Sequence, residues 1–306
     1  MYRVKKKLSW GFGFYLAVAL VTIIIFAIWG GIKKAKESES NLASLIPESD
    51  THPHVFSYAP DDTTVWIGTH TGVYELIDQN WQKTFEPIKT NDVMGIETDF
   101  ENPSKIYAAG HGFVKRSIDG GDTWETIENG LPNQSKPNEP DAHYLVMDPV
   151  DPNRLFTLLA GSENNLYETK DGGETWRNIG TLPEGAYSIT VLPGVPASFL
   201  AATETGLIQY IVNEGKVQNM QLTNEPAYGV LYLANGEVIL MAESGFLKTK
   251  DLKNWSDLHV DLKGEMPLGI KASKRDPNRL LIVTDRYSVF ESDNGGSSWS
   301  LRASIE

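Results

Sequence analysis

The 306-residue chain contains no cysteine. This absence excludes disulfides, a thiolate nucleophile and every metal site that depends on a cysteine ligand. The hydrophobic fraction is 41% and the charged fraction is 22%, as in ordinary globular proteins. Non-covalent packing alone must therefore stabilise the fold.

Positive charge is scarce beyond the N-terminus. Seven of the 27 lysines and arginines precede residue 37, so 20 basic residues accompany all 40 acidic residues in the rest of the chain. Proteins bind nucleic acids through basic surfaces that neutralise phosphates. The composition therefore predicts no nucleic-acid partner.

A long run without charge covers residues 8–32 and includes the apolar stretch "FYLAVALVTIIIFAIW". About 20 apolar residues are enough for a helix to cross a bilayer, whereas the apolar region of a cleaved signal peptide has only about 7–15. We predict an uncleaved transmembrane signal anchor at 8–32, a cytoplasmic basic segment at 1–7 and a polar tether at 33–51. The protein is then a single-pass protein of the cell membrane, with its body on the extracytoplasmic side.

Beyond residue 52 the chain consists of short β-type runs separated by glycine, proline, asparagine and aspartate, with no helical periodicity. The stretch "SIDGGDTWETI" at 117–127 returns as "TKDGGETWRNI" at 169–179, and its tryptophan recurs at Trp81, Trp124, Trp176, Trp255 and Trp299. A repeat of about 40–50 residues is typical of a four-stranded propeller blade. The sequence predicts an all-β, six-bladed β-propeller over 52–306; seven blades fit the spacing less well.

The blades predicted from this spacing cover residues 52–85, 91–127, 142–180, 186–221, 227–258 and 267–303. A proline-led turn before an apolar strand supports the same register, as in "DPNRLFTLL" at 151–159 and "DPNRLLIVT" at 276–284. The first unit begins with its inner strand and the last ends with its outer strand. We therefore expect no blade shared between the two ends of the chain.

The repeated stretches resemble the Asp-box or BNR repeat, which occurs in sialidases, sortilin-type propellers and many bacterial proteins described as glycosyl hydrolases. The matching positions are Ser117, Asp119, Gly121, Thr123 and Trp124 in one copy, Thr169, Asp171, Gly173, Thr175 and Trp176 in another, and Ser292 and Trp299 in a third. In the third copy the acid is displaced, so either Asn294 replaces it or the loop has gained a residue. The resemblance implies that these turns are structural and lie on the face opposite the ligand site.

Physical chemistry gives these turns the same structural role. An aspartate accepts hydrogen bonds from turn amides, glycine tolerates positive φ, and tryptophan buries a large ring between neighbouring sheets. Because the boxes occupy the turns between the third and fourth strands of a blade, the candidate site is predicted on the other face. That face is built from the turns between the second and third strands and from the starts of the inner strands.

That rule predicts the candidate site residues. Predicted ligand-binding residues are His54, His70, His111, His143 and Arg286; predicted catalytic carboxylates are Glu163, Glu204, Glu243 and Asp285; the predicted metal ligands are His70, His111 and His143. Imidazole nitrogen and carboxylate oxygen together suit a borderline divalent metal, and two separated carboxyl groups suit glycoside hydrolysis. A hydrated channel mouth that collects polar residues without a further role is the alternative reading.

Three functions remain open at this point. The first is a membrane-anchored module that recognises a protein, peptide or glycan ligand. The second is a glycoside hydrolase or lyase that uses the histidine and carboxylate face; sialidase activity is disfavoured because only Arg286 is expected on that face. The third is an assembly factor that docks membrane partners.

Overall fold

The computed structural model describes residues 53–77, 79–132, 140–162, 165–183 and 185–304. The predicted basic segment, transmembrane anchor and tether lie outside these residues, as does Glu163. Within these ranges the chain forms 24 β-strands and one short 3-10 helix, Glu86–Ile88. No helix in the described part of the chain is long and apolar enough to cross a membrane.

The strands follow one another in six groups of four. The first three groups are β1 Pro53–Tyr58, β2 Val65–Thr69, β3 Gly72–Ile77 and β4 Asn80–Thr84; β5 Val93–Thr98, β6 Ile106–Gly110, β7 Phe113–Ser117 and β8 Glu125–Thr126; β9 Ala142–Met147, β10 Leu155–Leu159, β11 Leu166–Thr169 and β12 Arg177–Gly180. The other three are β13 Ala186–Leu192, β14 Ala197–Thr203, β15 Gly206–Asn213 and β16 Lys216–Gln221; β17 Ala227–Tyr232, β18 Val238–Ala242, β19 Gly245–Thr249 and β20 Ser256–Asp257; β21 Pro267–Ala272, β22 Leu280–Thr284, β23 Val289–Ser292 and β24 Ser300–Ala303.

Each group forms one antiparallel four-stranded sheet in which sequence order equals spatial order. The fold is a six-bladed β-propeller, and the six-bladed prediction is confirmed. In the described residues no sheet combines strands from the two ends of the chain. The ring is therefore closed by side-by-side packing of the first and last blades.

That packing is hydrophobic. Phe56, Ile67 and Trp81 of the first blade share a buried cluster with Leu281 and Val283 of the last. The Tyr58 hydroxyl also donates a hydrogen bond of 3.2 Å to the Leu280 carbonyl across the same boundary. The second strands are buried along their whole length in five of the blades, as expected for strands covered on both faces.

The turn after β7 is held by a small hydrogen-bond network. The Gly121 amide donates to the Ser117 hydroxyl at 2.8 Å, and the Thr123 amide donates to the Asp119 carboxylate at 2.9 Å. Gly121 has φ of 100°, and a Cβ there would lie 2.2 Å from the Phe85 ring. Only glycine fits this position without strain.

The turn after β11 repeats these bonds and adds a link to the neighbouring blade. Thr169 and Asp171 accept from the amides of Gly173 and Thr175, each at 2.9 Å. The Trp176 indole donates to the Ile127 carbonyl at 2.8 Å, and Ile127 belongs to the preceding blade. This tryptophan therefore joins two blades through a buried hydrogen bond as well as through its ring.

The turn after β23 shows whether Asn294 replaces the aspartate or the loop has gained a residue. The Ser298 amide donates to the Asn294 side-chain oxygen at 2.9 Å, and the Gly296 amide donates to the Ser292 hydroxyl at 2.9 Å. Asn294 thus occupies the place that an aspartate holds in the two other turns. The loop has not gained a residue.

The hydrogen bonds accepted by the aspartates in these turns should make the stability of the fold depend on pH. Slight burial opposes ionisation of Asp171, but hydrogen bonds from Thr175 and Thr169 outweigh it and lower the pKa from 3.8 to about 2. A depressed pKa stabilises the fold above the unfolded pKa, and this contribution is lost as the pH falls through the folded pKa. The free energy of unfolding of Asp171→Asn should therefore fall below that of the wild type above pH ~4, with the difference shrinking toward pH ~2.

Urea denaturation between neutral pH and pH ~2.5 measures this difference. Asn294→Asp is the matched control, because it introduces a carboxylate at the equivalent position and should make the protein more sensitive to acid. A stability difference between wild type and Asp171→Asn that is the same at every pH would contradict the assignment.

Candidate functional site

Every inner strand of the propeller carries a β-bulge near its start. In each blade one residue of the inner strand has no partner on the second strand, and this is the second residue of the strand. The six residues at the bulges are His54, Met94, His143, Tyr187, Tyr228 and Leu268. Bulges break the alternation of a strand and redirect a side chain, and they are enriched beside functional sites.

All six of these residues, which we call the bulge ring, line one cavity of about 270 Å³. The cavity is otherwise bounded by residues of the six inner strands, so it is the mouth of the central channel. Ligands of propellers usually bind where this channel opens. The bulge ring therefore defines the candidate site.

The ring differs from one side to the other. The tyrosines at 187 and 228 and the leucine at 268 are 53%, 43% and 40% exposed. The two tyrosine rings lie 5.8 Å apart, and Met266, two residues before Leu268 in the chain, is 66% exposed. Blades four to six thus present an exposed apolar and aromatic surface, whereas blades one and three contribute imidazoles.

Two further histidines reach the mouth from the turns after the second strands. His70 directly follows β2 and His111 directly follows β6. The turn at His111 is tight because Gly112 has φ of 82°, which glycine adopts without strain. Asp92 and Asp141 directly precede the inner strands β5 and β9, so they lie at equivalent positions of blades two and three.

The first group of polar side chains consists of His54, His70 and Asp92. His54 Nε2 lies 3.1 Å from His70 Nδ1, which lies 2.8 Å from Asp92 Oδ2. The second carboxylate oxygen of Asp92 lies 3.4 Å from His54 Nε2. Three potential metal-binding atoms therefore converge at the junction of blades one and two.

The second group consists of His111, His143 and Asp141. The two Nε2 atoms lie 3.2 Å apart, and Asp141 Oδ1 lies 3.5 Å from the first and 3.1 Å from the second. His111 Nδ1 faces Asp92 Oδ2 at 3.5 Å, so the ring of His111 joins the two groups. The result is a continuous network of four imidazoles and two carboxylates.

The structure brings together the four histidines predicted to bind ligand. The predicted metal ligands do not form a single group: His70 belongs to the first group, and His111 and His143 belong to the second. The predicted carboxylates Glu204, Glu243 and Asp285 and the neighbouring Arg286 are exposed and join neither group. Asp285 accepts a hydrogen bond from the Met266 amide at 3.0 Å, which fixes its turn.

Sequence reasoning missed Asp92, Asp141 and the aromatic half of the bulge ring. A signal for the two aspartates was present, because each precedes an apolar inner strand by one residue, in "NDVMG" and "PDAHY". The aromatic residues gave no comparable signal. An exposed tyrosine at a strand start cannot be distinguished from a buried one until the bulge is known.

The far end of the channel carries charged side chains. Glu97 and Lys274 form an ion pair of 2.6 Å there, beside Lys271. Burial lowers the pKa of the Lys271 amine, while the Glu97 carboxylate opposes this shift.

The buried Arg154 forms hydrogen bonds of 3.0 Å with Asp148 and 2.8 Å with Glu168. Its guanidinium group is therefore used within the fold and is not available to bind a substrate.

No protein-family model matches the chain. A xyloglucanase from Paenibacillus sp. is 34% identical over 111 residues, which are 32% of this chain and 10% of that protein. The chain therefore covers about a tenth of the length of this curated relative, and the match does not establish the activity.

Solved structures share the fold. A structure of YCF48 bound to D1 peptide superposes with a TM-score of 0.55 at 14% identity, covering 85% of each chain. The GH74 enzyme from Niastella koreensis gives 0.57 at 16% identity and covers 83% of this chain and 46% of its own. The GH74 xyloglucanase from Xanthomonas campestris gives 0.54 at 16% identity, with 82% and 45% covered. Such identities establish the propeller fold alone.

β6 passes so close to the residue before β5 that there is no room for a Cβ at Gly110. A Cβ at this position would lie 1.8 Å from the Asp92 carbonyl oxygen, so alanine must displace the backbone that carries Asp92. Overpacking of this kind costs about 1–3 kcal/mol. We expect Gly110→Ala to lower the free energy of unfolding by about that amount in urea denaturation.

Gly269→Ala is the matched control, because Gly269 also lies beside a bulge. A Cβ there would meet the Phe56 ring at 3.4 Å, an ordinary contact. The free energy of unfolding of Gly269→Ala should therefore lie within ~0.5 kcal/mol of that of the wild type. Equal losses in the two variants would contradict the proposed role of Gly110.

Proposed function

We propose that the protein is a recognition module that binds a peptide segment of a partner protein at the bulge ring. The observation that carries the proposal is the division of the ring around one cavity: the exposed tyrosines and leucine of blades four to six lie on one side, and the imidazoles of blades one and three, each beside an aspartate, lie on the other. A cavity of about 270 Å³ accepts one or two side chains rather than a long oligosaccharide.

The aromatic half supplies affinity. Tyrosine and other large apolar side chains that are exposed together mark interaction surfaces, and tyrosine is enriched among residues that dominate binding energy. Tyr187, Tyr228 and Leu268 protrude from equivalent positions of neighbouring blades, so a side chain inserted between them loses contact with water on several sides.

The polar half supplies orientation. Imidazoles both donate and accept hydrogen bonds, and carboxylates accept them from amides or cationic groups. These groups suit a peptide, which offers amide hydrogens and carbonyl oxygens along its length. The likeness to YCF48, whose structure holds D1 peptide, supports a peptide ligand for a propeller of this size.

We place this module at the cell membrane. Residues 8–32 serve as the anchor, 33–51 as the tether and 1–7 as the cytoplasmic segment in this proposal, because the run at 8–32 has the length and apolarity of a spanning helix. A protein anchored beside its targets can act as an assembly factor for membrane proteins. The turns after β7, β11 and β23 also favour membership of the Asp-box class.

Glycoside hydrolysis is the second candidate, favoured by the 34% identity to a xyloglucanase segment. It needs two carboxyl groups, about 5–5.5 Å apart for retention or about 6.5–9.5 Å for inversion of configuration. Glu204, Glu243 and Asp285 are the described candidates, each in a different blade. Hydrolysis of xyloglucan that is lost in Glu204→Gln or Glu243→Gln, with the fold intact, would establish this function.

The peptide proposal predicts which substitutions abolish binding. Peptides selected from a random display library on the full-length chain should bind the wild type, and Tyr187→Ala and Tyr228→Ala should each weaken binding at least ~10-fold, as for central aromatic residues of interfaces. Isothermal titration calorimetry measures the affinities. The exposed Ile118, 62% exposed in the turn after β7, gives the control Ile118→Ala, which should bind normally.

A glycan array that includes xyloglucan oligosaccharides is probed in parallel. Selected peptides that bind both tyrosine variants as tightly as the wild type would contradict the site. Binding of glycans without any peptide enrichment would contradict the ligand class.

A further inference from the structure

We propose that the channel mouth binds two first-row divalent metal ions, with zinc the best fit. Site A consists of His54, His70 and Asp92, and site B consists of His111, His143 and Asp141. Each set is two imidazoles and one carboxylate, a set of ligands that is common in catalytic zinc and non-haem iron centres. The proposal does not depend on peptide binding.

The distances between the ligand atoms fit coordination. Ligands at 2.0–2.1 Å from a tetrahedral zinc ion lie about 3.3 Å from one another. In site B the three separations are 3.1, 3.2 and 3.5 Å. In site A the two imidazole nitrogens lie 3.1 Å apart, and each faces a different oxygen of Asp92: His70 Nδ1 lies 2.8 Å from Oδ2, and His54 Nε2 lies 3.4 Å from Oδ1. The ligand atoms therefore already have about the spacing that a bound ion requires, and no movement of the backbone is needed.

Hydrogen bonding leaves one carboxylate oxygen of each site unsatisfied. Asp92 Oδ1 and Asp141 Oδ1 are both buried from solvent, and neither accepts a hydrogen bond from the described residues. The neighbouring imidazole nitrogens lie close to these oxygens but without hydrogen-bond alignment. A buried carboxylate oxygen without a partner is costly, and a cation placed between oxygen and nitrogen removes that cost.

The ring nitrogens point to the same conclusion. His54 Nε2 faces His70 Nδ1, and His111 Nε2 faces His143 Nε2. In each pair only one nitrogen can donate a proton to the other, and two protonated imidazoles at this distance repel each other. A metal ion accepts lone pairs from both nitrogens of a pair at once.

The two sites differ from an all-oxygen cation site. Magnesium and calcium prefer carboxylate, carbonyl and water oxygens, whereas imidazole favours zinc and neighbouring transition metals. The side chains of the six ligands are only 12–37% exposed, which leaves room for a further ligand on the channel side. Such an open position is the arrangement of a reactive rather than a purely structural ion.

The sites are coupled through His111. Its Nε2 belongs to site B, while its Nδ1 faces Asp92 of site A at 3.5 Å. A carboxylate that faces the second nitrogen of a metal-bound histidine orients the ring and raises its basicity. Asp92 is thus a ligand of one site and a positioning residue for the other.

Metal stoichiometry tests the proposal. The full-length chain in mild detergent is stripped with EDTA, titrated with zinc chloride by calorimetry, and analysed for bound metal after dialysis. We expect two zinc ions in the wild type, one in His54→Ala, one in His143→Ala and none in the double variant. His259→Ala is the matched control, because this exposed histidine lies at Asp257 and belongs to neither site, and it should keep two ions.

Cobalt provides a second readout that reports geometry. Cobalt(II) in place of zinc should give the visible absorption of four- or five-coordinate sites, and each single variant should lose about half of it. Asp141→Asn should abolish site B alone. Asp92→Asn should abolish site A and weaken zinc binding at site B by about 10–100-fold.

Several results would overturn the proposal. These are no zinc bound by the wild type, two ions retained by the double variant, an equal loss in His259→Ala, or tighter binding of calcium or magnesium than of zinc. A wild type that binds one zinc ion, and single variants that each bind none, would replace the two sites by one shared centre. Circular dichroism and urea midpoints check folding, and His54→Asn and His143→Asn replace any alanine variant that fails to fold.

Discussion

The structure depends on hydrophobic packing between neighbouring sheets, because the described chain closes its ring without sharing a blade between its ends. Buried residues of the first and last blades occupy one cluster, and the Tyr58 hydroxyl bonds a carbonyl across the boundary. With no cysteine available, no covalent link can hold that boundary. Closure of the ring, and with it the arrangement of the six inner strands around the channel, therefore rests on non-covalent packing.

The same scaffold produces six equivalent positions at the mouth. The bulge recurs in every inner strand, so the backbone offers the same redirected side chain six times. What varies is the residue: imidazoles in blades one and three, methionine in blade two, and tyrosine or leucine in the last three. The chemistry of the mouth therefore differs between blades through a few side chains, and the hydrogen-bonded turns after β7, β11 and β23 on the opposite face are nearly the same as one another.

The sequence predicted the blades well because glycine, aspartate and tryptophan report local requirements of turns that each blade must meet. It also predicted that His54, His70, His111 and His143 share a face, since each follows or begins a strand on the same side of its sheet. It did not predict their division into two groups. That division depends on Asp92 and Asp141, and on which histidines the packing of neighbouring blades brings to each of them; the backbone of Asp92, for example, lies against Gly110.

The electrostatics of the mouth connect the two proposals without making either depend on the other. The body of the chain carries twice as many acidic as basic residues beyond residue 36, and Glu204, Glu243 and Asp285 lie in the turns after the second strands of blades four to six. Ions bound by the histidine groups would make blades one to three positive against that background. Opposite charges on the two sides of the mouth favour a ligand that carries a positive and a negative group close together. A peptide with a free carboxylate and a basic group has this property. The exposed tyrosines of blades four and five would then contact the apolar part of the same ligand.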